Sequence, residues 1–162
     1  MSRARRKELF GQFLPLASWM DLEVRSVAFF KAEISAARER GVRLIVSDHH
    51  FGRTPPLAFL RERVRRARAA GAEVFKLATA ARSAGDLERL LAFLREGAAG
   101  TRAVMGMGEL GRVSRLVLGR CGSVLNYGYL DSALVPGQWE ATELKKRLGE
   151  LFSERTGPGA NR

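Results

Sequence analysis

Five short apolar runs constrain the fold more than anything else in the chain: WMDLEV (19–24), RLIVS (43–47), EVFKLA (73–78), AVMGM (103–107) and SVLNYG (123–128). Each is rich in valine, leucine and isoleucine and lacks clean alternation, the pattern of a strand covered on both faces. Helical patterns separate them. SVAFFKAEISAARERG (26–41) ends in Gly41, a natural position for the residue just past a helix. PPLAFLRERVRRARAAG (55–71) opens with proline and closes with glycine, the asymmetry of a single helix. SAGDLERLLAFLREG (83–97) starts at a serine cap, GRVSRLVLGRCG (111–122) is shorter, and EATELKKRLGELF (140–152) is the last. Strand–helix alternation of this kind predicts a parallel α/β sheet of about five βα units. The predicted domain spans residues 1–153, followed by a disordered tail, 154–162.

Parallel sheets place their chemistry at the C-terminal ends of the strands. There the second run ends in Ser47-Asp48-His49-His50, which holds both histidines of the chain, and the third carries Lys76 inside VFKLA. Lysine is rarely buried without a partner, and Val74, Phe75, Leu77 and Ala78 flank this one. Desolvation there disfavours the charged form and frees an amine for imine formation with a ketone. The alternative is a lysine that reaches solvent at a strand edge or pairs with a carboxylate such as Glu73. His49 and His50 suit either general acid–base work or the capping of a βα loop. Neighbours on a strand face opposite ways, so the two do not share a metal ion. Arg115, one turn into a glycine-flanked helix, is suited to clamp a carboxylate. Asp21 and Glu23 of the first run point titratable groups toward the same strand ends.

Composition narrows the partners. Lys+Arg 28 against Asp+Glu 17 gives a net charge of +11, which favours anionic partners, either nucleic acid or small acidic metabolites. Nearly all of the excess is arginine, and along 57–67 the apolar Leu57, Leu60, Val64 and Ala67 take one helix face and leave the arginines on the solvated one. A single cysteine, Cys121, excludes a disulfide framework and a multi-thiolate metal site. No apolar stretch reaches the ~20 residues of a membrane span. The basic start MSRARRKELF has no apolar stretch behind it, unlike a signal peptide, so a cytoplasmic location is expected.

Taken together these motifs resemble the type I 3-dehydroquinate dehydratases (type I dehydroquinases), Schiff-base lyases of the shikimate pathway of aromatic amino-acid biosynthesis. MDLEV resembles the family strand (I/V)DLEL, VSDHHFGRTPP its SNHDFxxTP, VFKLAT its xxKIA and MGMGELGRVSRL its MxMGxxGxxSR. GSVLNYG followed by PGQ matches the closing strand and loop, and the helix KELFGQFLPLAS before the first run is similar too. The resemblance implies a partial (β/α)₈ TIM-barrel-like fold with catalytic Lys76 and His49. It assigns Asp21 to orienting the histidine, and Arg115, Gln138, Glu23 and Ser132 to holding the substrate. No metal or dissociable cofactor is implied.

The implied reaction dehydrates 3-dehydroquinate to 3-dehydroshikimate. Lys76 condenses with the ketone, the protonated imine acidifies the neighbouring C–H, and His49 removes that proton and then protonates the departing hydroxyl. The chain matches only the last five of the family's eight strands. The first three carry residues that grip the substrate hydroxyls and a glutamate near the histidine. The family's loop serine falls on Leu134, with Ser132 close but out of register, and Asp48 and His50 replace the usual asparagine and aspartate. Five units cannot close a barrel, so two sheet edges are expected to be open, covered by a homodimer. The substrate expected is a small cyclic keto acid; a membrane partner is not expected and nucleic acid is disfavoured. The competing function is a non-catalytic dehydroquinase-like module that binds anionic metabolites or nucleic acid.

Overall fold

Alternation along each strand sorts the apolar residues into two layers, one under the helices and one on the inner face of the sheet. The computed structural model describes residues 1–96, 98 and 101–153; the 154–162 tail expected to be disordered lies outside the described residues. The elements are α1 (Arg3–Phe13), β1 (Trp19–Glu23), α2 (Lys31–Glu39), β2 (Arg43–His50), α3 (Leu57–Ala69), β3 (Val74–Ala80), α4 (Ala84–Arg95), β4 (Arg102–Met107), α5 (Gly111–Arg120) and α6 (Ala141–Ser153). The four strands form one parallel sheet in the order β1-β2-β3-β4, and each is followed by a helix.

The helix-side layer is the larger. Leu22 of β1, Val46 of β2, Leu77 of β3 and Val104 of β4 alternate toward it and meet Leu60, Leu90, Phe93 and Leu118 from the helices, all at or near zero exposure. Each large side chain buried in this way contributes about 1.5–3 kcal/mol. The inner face has its own smaller apolar cluster, built on Ile45, Val74, Ala78, Ala103, Met105 and Met107. The predicted C-terminal ends of α2 and α3 hold: Gly41 and Gly71 take φ of 71° and 85°, the left-handed region where a side chain would be strained. α2 itself starts only at Lys31, after a 3-10 turn at Val27–Phe29, and not at residue 26. Ser83 caps α4 in a full capping box with Asp86.

The fifth run does not become a strand. Residues 123–128 lie beside β4, but the Ser123 hydroxyl bonds both the N–H and the C=O of Val104, at 2.8 and 3.1 Å. A side chain thus occupies the groups a ladder would use, leaving Val124 N–H to Arg102 C=O, 3.0 Å, as the single main-chain bond of this segment to β4. On the far side, no described strand pairs with the outer edge of β1.

Candidate active site

Strand alternation decides which side chains can meet. Counting along the ladder, Asp21 and Glu23 on β1, Ser47 and His49 on β2, and Lys76 and Ala78 on β3 share the inner face, and Glu23, Ser47 and Lys76 lie in one row across it. His50 and Asp48 turn the other way. His50 Nε2 lies 2.9 Å from the Asp48 carboxylate and packs edge-on against Phe59 of α3. The two histidines therefore serve different faces, as their adjacency requires.

Lys76 Nζ donates to Asp21 Oδ2 at 2.5 Å, reaching across β2 over the small, buried Ser47, and stands 4.9 Å from the centre of the Tyr127 ring. Its side chain is only 13% exposed. The sequence had set this amine among aliphatic neighbours, but those belong to the strand's own sequence; across the sheet it meets a carboxylate. The carboxylate partner of the alternative reading is thus Asp21 and not Glu73.

The assignment of Asp21 as the residue that orients His49 is corrected. His49 Nδ1 is hydrogen-bonded to Glu23 Oε1. A carboxylate can only accept, so this contact selects the Nδ1–H tautomer and leaves Nε2 as the basic nitrogen. The reason is register. Lys76 bends one row back along the sheet to Asp21, which frees Glu23 to bend one row forward to His49. Glu23, expected on the substrate, meets the His49 ring instead.

Arg115 is 2% exposed. Its guanidinium donates to the Tyr127 carbonyl at 2.8 Å, the Gly137 carbonyl at 3.3 Å and the Met105 sulfur at 3.4 Å. Among the described residues it has no carboxylate partner, and burial pushes its pKa down to about 10, so at neutral pH it remains a cation in want of an anion. The local sequence explains its placement. Ser114 Oγ accepts from Gly106 N–H at 3.0 Å and donates to Gly111 C=O at 2.8 Å, tying the start of α5 to β4. A side-chain carbon at Gly106 would stand 2.3 Å from that hydroxyl oxygen, so the close approach needs glycine.

A cavity of about 310 Å³ is lined by His49, Lys76, Met105, Arg115, Tyr127 and Gln138 among others, with Leu134 and Val135 at its edge. It is of ordinary size for a small-molecule site. Gln138 is held by its carbonyl oxygen, which accepts from the N–H groups of Leu134 and Val135 at 2.8 and 3.3 Å. Ser132 is exposed and does not line the cavity; Leu134 does, as the register of the loop dictates. Two contributors had no role assigned from sequence. Ser47 was visible as a small residue in the strand-end motif, whereas Tyr127 gave no signal, because its ring and carbonyl meet Lys76 and Arg115 only through tertiary structure.

Comparison with known proteins identifies the family. The family model described as Type I 3-dehydroquinase matches residues 1–155. The 3-dehydroquinate dehydratase of Aquifex aeolicus is 36% identical over 149 residues, covering 90% of this chain and 67% of that protein. That of Hydrogenobaculum is 32% identical over 147 residues, covering 91% and 66%. Among solved structures, the Aquifex aeolicus enzyme superposes with a TM-score of 0.82 at 31% identity, covering 94% of this chain and 68% of its own. The type I enzyme of Clostridium difficile, solved with covalently modified comenic acid, gives 0.84 at 27% identity, covering 95% and 63%. The chain thus spans about two thirds of the length of these relatives. With residues 1–155 matched by the family model and the relatives sharing both sequence and fold, the chain belongs to the type I 3-dehydroquinase family.

Proposed function

We propose that the chain dehydrates 3-dehydroquinate to 3-dehydroshikimate through an imine on Lys76. One observation carries the reading: Lys76 and His49 project from the same face of adjacent strands into one cavity that also holds the buried, uncompensated Arg115. Two residues along and one strand across put their Cα atoms about 8 Å apart, a span suited to a six-membered ring between two side chains.

Each step has a residue. Arg115 takes the substrate carboxylate, replacing a lone buried cation with a charge-assisted pair. Asp21 accepts the proton that Lys76 must lose before its nitrogen attacks the ketone. The carbinolamine loses water and the resulting iminium draws electrons from the adjacent carbon. His49 Nε2, its ring fixed by Glu23, removes the proton there and returns it to the hydroxyl leaving from the neighbouring position as the double bond forms. Water then hydrolyses the imine and regenerates the amine. Gln138 and the Leu134–Val135 turn close one wall against the ring.

We also propose that the chain works as a homodimer. Among the described residues no strand pairs with the outer edge of β1, which carries Asp21 and Glu23, and a second copy would cover it. The nucleic-acid reading gains no support from the helices: Arg61 pairs with Glu96 at 2.6 Å and Arg66 with Glu62 at 3.0 Å, as on a solvated face. No described helix is long and apolar enough to cross a membrane.

The test is turnover. Purified chain given 3-dehydroquinate should generate the ultraviolet absorbance of a conjugated enone acid, and Lys76→Met should abolish it. No product at high enzyme concentration, or a rate untouched by Lys76→Met, would refute the assignment.

A further inference from the structure

A second concavity lies outside the sheet, between α2 and α3. Its volume is about 510 Å³, its apolar floor includes Val24, Val27 and Ile34, and three cations, Arg25, Lys31 and Arg66, stand around it. No carboxylate lines it. On the two helices beside it, Glu33 faces Lys7 at 3.8 Å, and Glu62 holds both Arg65 and Arg66, at 2.5 and 3.0 Å. Arg25 and Lys31 have no hydrogen bond or ion pair among the described residues. The groove therefore combines an apolar floor with two uncompensated cations among its lining residues. The catalytic reaction uses none of these residues.

We propose that this groove binds a small amphipathic carboxylate, with its aromatic or aliphatic body on the Val24–Ile34 floor and its carboxylate between Arg25 and Lys31. Each half of the ligand answers one half of the site. An apolar body removes the floor from water, and the fork of the Arg25 guanidinium matches a carboxylate in two parallel bonds. A purely apolar ligand would leave the cations unanswered, and a small hydrophilic anion would leave the floor wet. The site is independent of the lyase reading, because it lies on the helix side while Lys76 and His49 face the other way.

The experiment is a titration of the ¹⁵N-labelled chain with 3-phenylpropanoate, followed by amide correlation NMR, beside the neutral 3-phenylpropanamide. Saturable shifts at Ala28, Lys31 and Ala70 are expected, with the neutral amide binding about tenfold more weakly. The double variant Arg25→Gln, Lys31→Gln should weaken the carboxylate by a similar ~10-fold and leave the spectrum otherwise native, since both side chains are exposed. Ala69→Trp, which fills the groove, should abolish the shifts. Equal affinity for acid and amide, shifts that do not saturate, or shifts confined to Met105 and Tyr127 of the strand-end cavity would overturn the proposal.

Discussion

At the scale of single residues, the site rests on two carboxylate contacts made from one strand: Asp21 to the Lys76 amine and Glu23 to the His49 ring. Their roles differ and so should their variants. Glu23→Gln keeps the shape but removes the negative charge that steadies the His49 ring as it takes up a proton, so kcat should fall ~10-fold or more while borohydride trapping on Lys76 persists, since outer partners of a histidine typically matter at that level. His49→Ala should cost ~10²–10⁴-fold in kcat, the usual worth of a positioned acid–base group, and again spare trapping. Arg115→Met should raise KM far more than it lowers kcat, because the carboxylate it answers is present throughout the reaction. His49, Lys76 and Arg115 were legible because each is a costly residue in an apolar setting at a strand or helix end. The pairing of carboxylates was not. Sequence gives alternation along β1, but which partner each acid meets depends on side chains bending one row along the sheet, and that is decided only by the parallel register.

At the scale of elements, the helices were readable from caps and breakers, and α4 shows why. Ser83 and Asp86 satisfy each other's first-turn groups, so Ser83→Ala should lower stability by about 1 kcal/mol in urea unfolding. Burial raises the Asp86 pKa, but hydrogen bonds from Arg82 and Ser83 outweigh it and hold the carboxyl below its ordinary 3.8. For an acid depressed in the folded state, the stabilisation is complete above the unfolded value and disappears as pH falls through the folded one. The chain should therefore lose this contribution below about pH 4, and Asp86→Asn should flatten that part of the acid limb. Gly106→Ala should cost ~1–3 kcal/mol by forcing the start of α5 off β4, and should weaken substrate binding through Arg115. The run SVLNYG deceived because valine and leucine report burial without revealing what caps the backbone. Ser123, a polar residue at its start, takes the hydrogen bonds of β4 and stops the ladder.

At the scale of the whole molecule, four parallel strands make an open sheet whose inner face carries the site and whose outer face is sheathed by helices. The proposed dimer should show twice the 17.9 kDa of one chain in sedimentation, and a monomer at micromolar concentration would remove it. Helix-surface pairs engage Arg61, Arg65 and Arg66 but leave the net charge of +11, so weak, salt-sensitive contacts with polyanions are expected rather than a nucleic-acid site. What decides the account is whether the Lys76 nitrogen is the atom that meets the ketone. Sodium borohydride added to the chain with 3-dehydroquinate, followed by peptide mass spectrometry, reads this directly. The account predicts a stable adduct, located on Lys76 and lost in Lys76→Met. An adduct on another lysine, or none at saturating substrate, would contradict it.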